Sequence, residues 1–463
     1  MDRLAVVVLA AGKGTRMKSE LPKVLHKVCG KAMIEHILSA AQDLNPEISI
    51  VVVGYKGEAV KAELKDLAVD FAYQKQQLGT GHAVMQVEEF LADFRGSVLV
   101  LCGDTPLLTA KTLSNLVEKQ QQQGVAAVLT TEVDDPSWYG RIVRDSSGNL
   151  VKIVEEEDAT PKERQIKEIN TGTYCFDSRY LFKALQEIEA DNAQGEYYLT
   201  DVIEVLTYEG EAVAAELTID SAETLGVNTK RHLAKAEKRL RNRVCNKHLA
   251  AGVTIMDPEN TFVDSEVEIG QDTVIYPYTI IEGETRIGSN CIIGPYSRII
   301  DSQLATGVEV QNSVIKKAKV GAEVQIGPFA YLRPGTELES EVKIGDFVEV
   351  KKSFIGRGSK VPHLSYVGDA TIGEKVNLGA GTIIVNYDGV VKHPTNIEDE
   401  AFIGCNSNLI APLTVGKGAY VGAGSTINED VPEDALALAR PPQVNKLKAA
   451  QRLKSLLLSK NQK

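Results

Sequence analysis

The sequence predicts two folds in one chain: a Rossmann-like α/β domain followed by a parallel β-helix. Two observations carry this. An apolar run from Leu4 to Leu9 enters a glycine-rich turn, and helical and strand patterns then alternate. From Val263 onward an aliphatic residue recurs every six positions, a period that belongs to neither an α-helix nor an ordinary strand.

The first half reads in order. Leu4 to Leu9 has the composition of a strand buried on both faces. It leads into Ala10-Ala11-Gly12-Lys13-Gly14-Thr15-Arg16-Met17. Glycines there let backbone N–H groups turn toward a phosphate, and Lys13 and Arg16 add charge. The spacing is neither GxGxxG nor Walker A, so on chemistry alone a phosphate site and a plain tight turn stand level. Met33 to Leu44 and Ala59 to Leu67 read as helices; Ile48 to Val53, Ser97 to Leu101 and Val125 to Thr131 read as strands. Asp104 follows one of these strands, where open α/β sheets bind ligands. It either holds Mg²⁺ on a phosphate or caps the helix from Thr109 onward.

A long helix is expected over 229–250, with Leu233, Ala236, Leu240 and Val244 on one face. Its many charges argue against membership of either core.

The hexads begin at Val263, Ile269, Ile275, Ile281, Ile287, Ile293 and Ile299. After a slip the beat is placed at Val314, Val320, Ile326, Leu332, Leu338, Ile344 and Val350, and later at Ile403, Leu409, Val415, Val421 and Ile427. Each hexad makes a short strand and a turn with its aliphatic residue inward, and rungs must stack because none buries its own apolar face. An ordinary β-sandwich would not hold this register for so long. Slips fall at Val350 to Ile355 and between Val367 and Ile372, and the beat stops for an extruded loop from Val385 to Pro394. Loops of that kind often build the binding face of a solenoid. His363, between the slips, is either a turn histidine or a general base. Arg333, Lys351 and Lys392 offer cations for a phosphorylated substrate. After Arg440 come Pro441-Pro442 and a Lys- and Leu-rich helix, expected to pack on the solenoid or on a neighbouring subunit.

Composition sets limits. Over 463 residues, 43% hydrophobic and 25% charged residues describe a soluble globular protein. A net charge of -12 argues against general nucleic-acid binding. No apolar run approaches the roughly 20 residues of a membrane span, and Val6 to Leu9 is too short for a signal peptide. Six scattered cysteines without CxxC spacing predict reduced thiols in a cytoplasmic protein and no structural zinc.

Leu9 to Met17 with Pro22-Lys23 resembles the signature of sugar-phosphate nucleotidylyltransferases. Gln77-Leu78-Gly79-Thr80-Gly81-His82-Ala83 and Gly103-Asp104 stand where that family has its base-binding and metal elements. Joined to hexapeptide repeats, nearly the whole chain resembles the bacterial bifunctional N-acetylglucosamine-1-phosphate uridylyltransferase / glucosamine-1-phosphate acetyltransferase family. The resemblance implies a nucleotidyltransferase domain (1–228), a helical linker (229–250) and a left-handed β-helix acetyltransferase domain (251–463) that forms a homotrimer. It implies acetyl transfer from acetyl-CoA to glucosamine-1-phosphate, then Mg²⁺-dependent uridylyl transfer from UTP, giving UDP-N-acetylglucosamine for peptidoglycan and lipopolysaccharide precursors.

The same resemblance assigns residues. Leu9, Ala10, Ala11 and Gly12 would wrap UTP, with Gln74, Gly79 and Thr80 near the uracil. Arg16 and Lys23 would neutralise the triphosphate, and Asp104 and Asn228 would bind Mg²⁺. Gly140, Glu155 and Asn170 would hold the sugar, although Glu155-Glu156-Glu157-Asp158 alone reads as a solvated charge run. His363 would be the base for acetyl transfer. Arg333, Lys351, Tyr366, Asn377 and Lys392 would hold glucosamine-1-phosphate. Ala380, Cys405, Ala423 and Arg440 would line the acetyl-CoA groove, joined by Asn386 and Tyr387 from the extruded loop. Cys405 stands where the family usually has Ser, and a thiol is the weaker hydrogen-bond partner. The competing reading is a single-activity sugar-1-phosphate nucleotidylyltransferase whose β-helix is only structural or regulatory.

Overall fold

The first apolar run lies inside a nine-stranded sheet. In a computed structural model that describes residues 3–460, the strands of this sheet are β1 (Leu4–Ala10), β2 (Ile48–Val53), β3 (Asp70–Tyr73), β4 (Ser97–Cys102), β5 (Ala126–Glu132), β6 (Arg141–Arg144), β7 (Leu150–Val154), β8 (Glu168–Asp177) and β9 (Val213–Leu217). Their order is β9-β5-β8-β4-β1-β2-β3, with the β6–β7 hairpin paired to β8. β1 pairs in parallel with both β2 and β4, whereas β8 runs antiparallel to β4 and β5. Val7 and Val100 face one core layer, and Val6, Val8 and Leu101 face the other. Burial on both faces accounts for the unbroken apolar runs.

Helices α1 (Met33–Gln42), α2 (Gly57–Glu63), α3 (Thr80–Met85) and α4 (Ala110–Gln123) connect the strands. The first is shorter than the pattern predicts because Asn45 turns left-handed at φ 52°. The second begins two residues before the expected Ala59 and gives way to turns after Glu63. The chain order reverses between β1 and β4. The loops after these two strands therefore meet at a switch point, tied by the Gly103 N–H to the Leu9 carbonyl at 3.0 Å.

A long helix, α5 (Lys230–Ala250), follows. Three of the four residues expected on its apolar face, Leu233, Ala236 and Leu240, pack with Met17, Val28, Met33, Leu107 and Val227. Its charges do not keep it off this core. Glu237 accepts the Cys29 N–H at 2.8 Å, and Arg243 donates to the Leu107 carbonyl at 2.5 Å. The chain divides into two compact units between Val244 and Cys245.

The second unit is the β-helix, with three parallel sheets of eleven, ten and nine short strands. Successive coils stack in register, as in Ile275 beside Ile293 and Ile281 beside Ile299. The inward row is buried, but one part of the predicted beat is displaced. Val314 is 37% exposed and Ile315 is the inward residue. The true series is Ile299, Leu304, Val310, Ile315, Val320 and Ile326. Several sides thus hold five residues rather than six. Between the second and third sheets, Asp301 (φ 47°), Lys317 (φ 47°), Lys352 (φ 44°) and Asp369 (φ 52°) close the shortened corners in left-handed geometry. The slips after Val350 and Val367 are of this same kind, so a slip alone does not mark a site.

The extruded loop opens at the same corner, between strands Ile383–Val385 and Thr395–Ile397. A Tyr387–Lys392 bridge closes it, and Asp388 accepts the N–H groups of Val390 and Val391 at 2.8 Å each. The last helix, α6 (Ala449–Lys460), leaves Leu453, Leu456, Leu457 and Leu458 exposed rather than laid on the solenoid.

Glycine follows the inward residue for reasons of space rather than dihedral angle. A Cβ on Gly321 would sit 2.6 Å from the backbone of Glu339 and Ser340 on the next coil. Gly321→Ala is therefore expected to destabilise the β-helix by about 1–3 kcal/mol, the usual range for overpacking. Urea or thermal unfolding measures this, and an unchanged midpoint would contradict the stacking argument.

Candidate active sites

In the first unit, the switch point is a cleft in two connected parts. One part, about 270 Å³, is lined by Leu9, Ala10, Ala11, Gly12, Lys23, Gln74, Gly79 and Thr80. The other, about 220 Å³, is lined by Gly140, Glu155, Asn170 and Asn228. Leu9, Thr80, Cys102 and Asp104 border both. The residues assigned to nucleotide and to sugar thus fall into adjoining chambers, with Asp104 at the junction.

Charge converges there. The Lys23 ammonium contacts the Asp104 carboxylate and donates to the Asn228 Oδ1 at 3.1 Å. Arg16 donates to the same Oδ1 at 3.1 Å. The Val227 N–H binds the Asp104 carbonyl at 2.9 Å, which joins the two distant segments. Gln74 is buried and donates to the Gly79 carbonyl at 3.0 Å, while Thr80 accepts the Leu199 N–H at 3.0 Å. Gly79 has φ 111°, and a Cβ there would meet the Tyr197 carbonyl at 2.4 Å.

Glu155 is not part of a solvated run. Burial pushes its carboxyl up to about 7, with Glu157, Asp201 and Asp158 acting in the same direction against a hydrogen bond from Thr200. Asn170 is held from both ends of its amide, donating to the Tyr174 hydroxyl at 2.7 Å and accepting the Gly172 N–H at 3.0 Å. Cys102 is inert, its thiol pushed up to about 12 chiefly by burial. Glu196 and Tyr139 also line the cleft, and sequence reasoning missed both. Neither belongs to a motif.

In the β-helix, the second sheet separates two groups of side chains. At one edge His363 ends the strand Lys360–His363, with Nδ1 2.5 Å from the Asp346 carboxylate on the preceding coil. At the other edge stand the cations. Lys351 lies in register with Gly368, and Arg333 lies one coil earlier, bound to Glu349 at 2.7 Å. Lys392 reaches the same place from the extruded loop, and its side-chain hydrogen bond with Lys351, with its charge adding to it, holds the Lys351 ammonium below the ordinary lysine range. Like charges this close are relieved by an anion between them. Tyr366 occupies the strand between the two edges. Asn386 in the loop donates to Asp369 at 2.5 Å, and the Tyr387 hydroxyl donates to the Gly389 carbonyl at 2.6 Å. Asn377 stands apart from the cations on the first sheet, in register with Lys360.

The corner that carries His363 continues as a column. The Gly381 N–H binds the His363 carbonyl at 3.3 Å, the Asn406 N–H binds Ala380 at 2.7 Å, and the Gly424 N–H binds Cys405 at 2.8 Å. Ala380, Cys405 and Ala423 are thus successive residues of one vertical line above His363, and Arg440 caps it by donating to the Ala423 carbonyl at 2.8 Å. The side chains of this line are small on three successive coils, which stand about 4.8 Å apart at the usual strand spacing. Sequence reasoning missed Asp346, Glu349 and Asp369. Their signal was register: Asp346 and Glu349 each stand one coil below a named residue, His363 and Tyr366.

Residues 5–222 match the nucleotidyl transferase family, 266–301 the bacterial transferase hexapeptide family, and 394–429 the hexapeptide repeat of succinyl-transferase. The chain is 55% identical to the bifunctional protein GlmU of Geobacillus sp. (strain WCH70), over 98% of this chain and 99% of that one. It is 56% identical to GlmU of Heliobacterium modesticaldum over 95% and 96% of the two chains. It is 53% identical to GlmU of Bacillus subtilis (strain 168) over 96% and 98%. A nucleotidyl transferase fold, a left-handed hexapeptide β-helix and full-length identity above one half together place this chain in the bifunctional GlmU family.

Proposed function

We propose that the chain makes UDP-N-acetylglucosamine in two steps on its two units. The β-helix transfers acetyl from acetyl-CoA to the amine of glucosamine-1-phosphate. The α/β unit then joins the product to UMP from UTP, with loss of pyrophosphate. The observation that carries two activities rather than one is the built site on the β-helix: an imidazole at one edge of a face and a cluster of cations at the other. A structural or regulatory solenoid has no need of either.

For acetyl transfer, Arg333, Lys351 and Lys392 hold the phosphate, Tyr366 and Asn377 flank the sugar, and Asn386 and Tyr387 approach the thioester from the loop. The amine then points at the His363 edge. His363 removes its proton as the nitrogen attacks the thioester carbon, and the CoA thiolate leaves. Ala380, Cys405, Ala423 and Arg440 border the groove for the pantetheine arm.

For uridylyl transfer no general base is required, because the sugar phosphate is already an anionic nucleophile. The site aligns an in-line attack on the α-phosphorus and spreads charge. Arg16 and Lys23 neutralise the triphosphate, while Gly140, Glu155 and Asn170 orient the sugar. Asp104 and Asn228 suit Mg²⁺, which is commonly held by one or two protein oxygens plus substrate phosphates. A cation already rests on both oxygens here, the Lys23 ammonium. When bound, Mg²⁺ would stabilise the charge that builds on the leaving pyrophosphate. We also assign a trimer that completes the β-helix sites, and a cytoplasmic setting, which the free thiols of Cys102, Cys175, Cys291 and Cys405 suit.

His363→Ala is expected to lose at least 10²-fold in CoA release with glucosamine-1-phosphate, while pyrophosphate formation from UTP and N-acetylglucosamine-1-phosphate persists. If the unaltered protein releases no CoA above background, the bifunctional reading is wrong. Asp104→Ala should show the reverse pattern, and equal loss of both reactions would contradict separate sites. The Glu155 carboxyl, pushed up to about 7, accepts sugar hydroxyls more strongly when ionised. The KM for N-acetylglucosamine-1-phosphate should therefore rise as pH falls below about 7, and Glu155→Gln should flatten that dependence. A wild-type KM constant from pH 8 to 6 would rule out this role.

A further inference from the structure

Asp346 belongs to no assigned site, yet register, a backbone bond and a side-chain bond tie it to the corner of His363. The two residues are register partners on adjacent coils. The Leu364 N–H binds the Asp346 carbonyl at 2.9 Å, and Leu364 takes a left-handed φ of 49° to do so. The Asp346 Oδ1 meets the His363 Nδ1 at 2.5 Å. The two coils also approach closely beside this pair. A Cβ on Gly345 would lie 1.8 Å from the Pro362 carbonyl, so Asp346 is pressed against the coil of His363. The His363 carbonyl is itself held by the Ser365 hydroxyl at 2.8 Å.

An acceptor-only carboxylate on Nδ1 selects the tautomer that carries its proton there. Nε2 is then left with its lone pair, and among the described residues no hydrogen bond occupies it. We propose that Asp346 is the positioning residue for the acetyl-transfer base: it fixes the Nδ1–H tautomer of His363, turns Nε2 toward the substrate amine and stabilises the imidazolium formed when the proton arrives. This rests on the reading of His363 as that base. The logic is that of a base oriented by a third group.

Other charges around the imidazole come from every adjacent element. Lys343 lies on the coil before and Lys360 on the same strand. Glu349 and Tyr366 lie on the next sheet, and the coil after contributes Asn377 and the Gly381 backbone, neither of which titrates. Asp346 is the acid hydrogen-bonded to the ring, and that bond also holds its own carboxyl below the usual range.

The test is the pH profile of acetyl transfer with the full chain. Asp346→Asn removes the charge and lets an amide donor face Nδ1. It is expected to lower kcat about 10–100-fold and to move the acidic limb of kcat/KM down by about half to one pH unit, since a lost anion disfavours the imidazolium. KM for glucosamine-1-phosphate should change less than about threefold. A profile that overlays wild type overturns the proposal, as does a loss confined to KM with the limb unmoved. His363→Ala is run alongside. If that variant keeps wild-type acetyl transfer, the base reading fails and the role of Asp346 falls with it. If it is inactive while Asp346→Asn is unaffected, only the role of Asp346 is refuted. The thermal unfolding midpoint of the β-helix, followed by circular dichroism, checks that each variant is folded. Asp346→Ser, which also removes the charge, enters the same assay should the amide variant fail to fold.

Discussion

A single coil of the β-helix cannot bury its aliphatic residues, so each coil depends on the next at a spacing of about 4.8 Å. The rest of the second unit follows from this. Stacking in register turns every position of the repeat into a vertical column. One column is the buried aliphatic row. Another runs through Asp346, His363, Ala380, Cys405 and Ala423 and contains a carboxylate, an imidazole and a row of small residues. The backbone bonds that hold the coils together also set the distances within the site. Rigid placement of this kind suits a reaction that needs an amine, a thioester and an imidazole aligned at once.

The first unit reaches precision by another route. The residues that line its cleft come from loops after β1 and β4 and from segments far away in sequence, gathered at one switch point. Lys23 and Arg16 lie near the start of the chain and Asn228 near the end of the unit, yet both cations meet the same amide oxygen. Burial on both faces of the sheet fixes the strands, and the strands fix the loops.

Much of this was legible in the sequence. The six-residue period gave the solenoid, and apolar runs gave four strands of the nine-stranded sheet with ends correct to a residue, while the less apolar Asp70–Tyr73 and Val213–Leu217 were missed. Of the residues assigned through family resemblance, those of the first unit other than Arg16 line the two chambers, whereas in the second unit Asn377 stands apart from the cations. What the sequence could not resolve were the five-residue sides. Val314 was read as inward because a steady six-step beat lands there, whereas the left-handed turns at Asp301 and Asn312 shorten two sides and make Ile315 the inward residue. Glu155 looked solvated because a run of acids carries no sign of the Thr200 and Asp201 segment that covers it. Asp346 was invisible because its partner is seventeen residues away, which becomes adjacency only once the length of a coil is known.

The central claim is that register alone builds the acetyl-CoA groove from the column above His363. It is tested most directly by filling that column. Ala423 is exposed on its corner, so Ala423→Trp should leave the solenoid intact while obstructing the groove. Calorimetric titration with acetyl-CoA should then show at least a tenfold weaker affinity, with uridylyl transfer at its wild-type rate. Wild-type acetyl-CoA affinity in that variant would mean that the cofactor binds elsewhere and that the column is only a consequence of the fold.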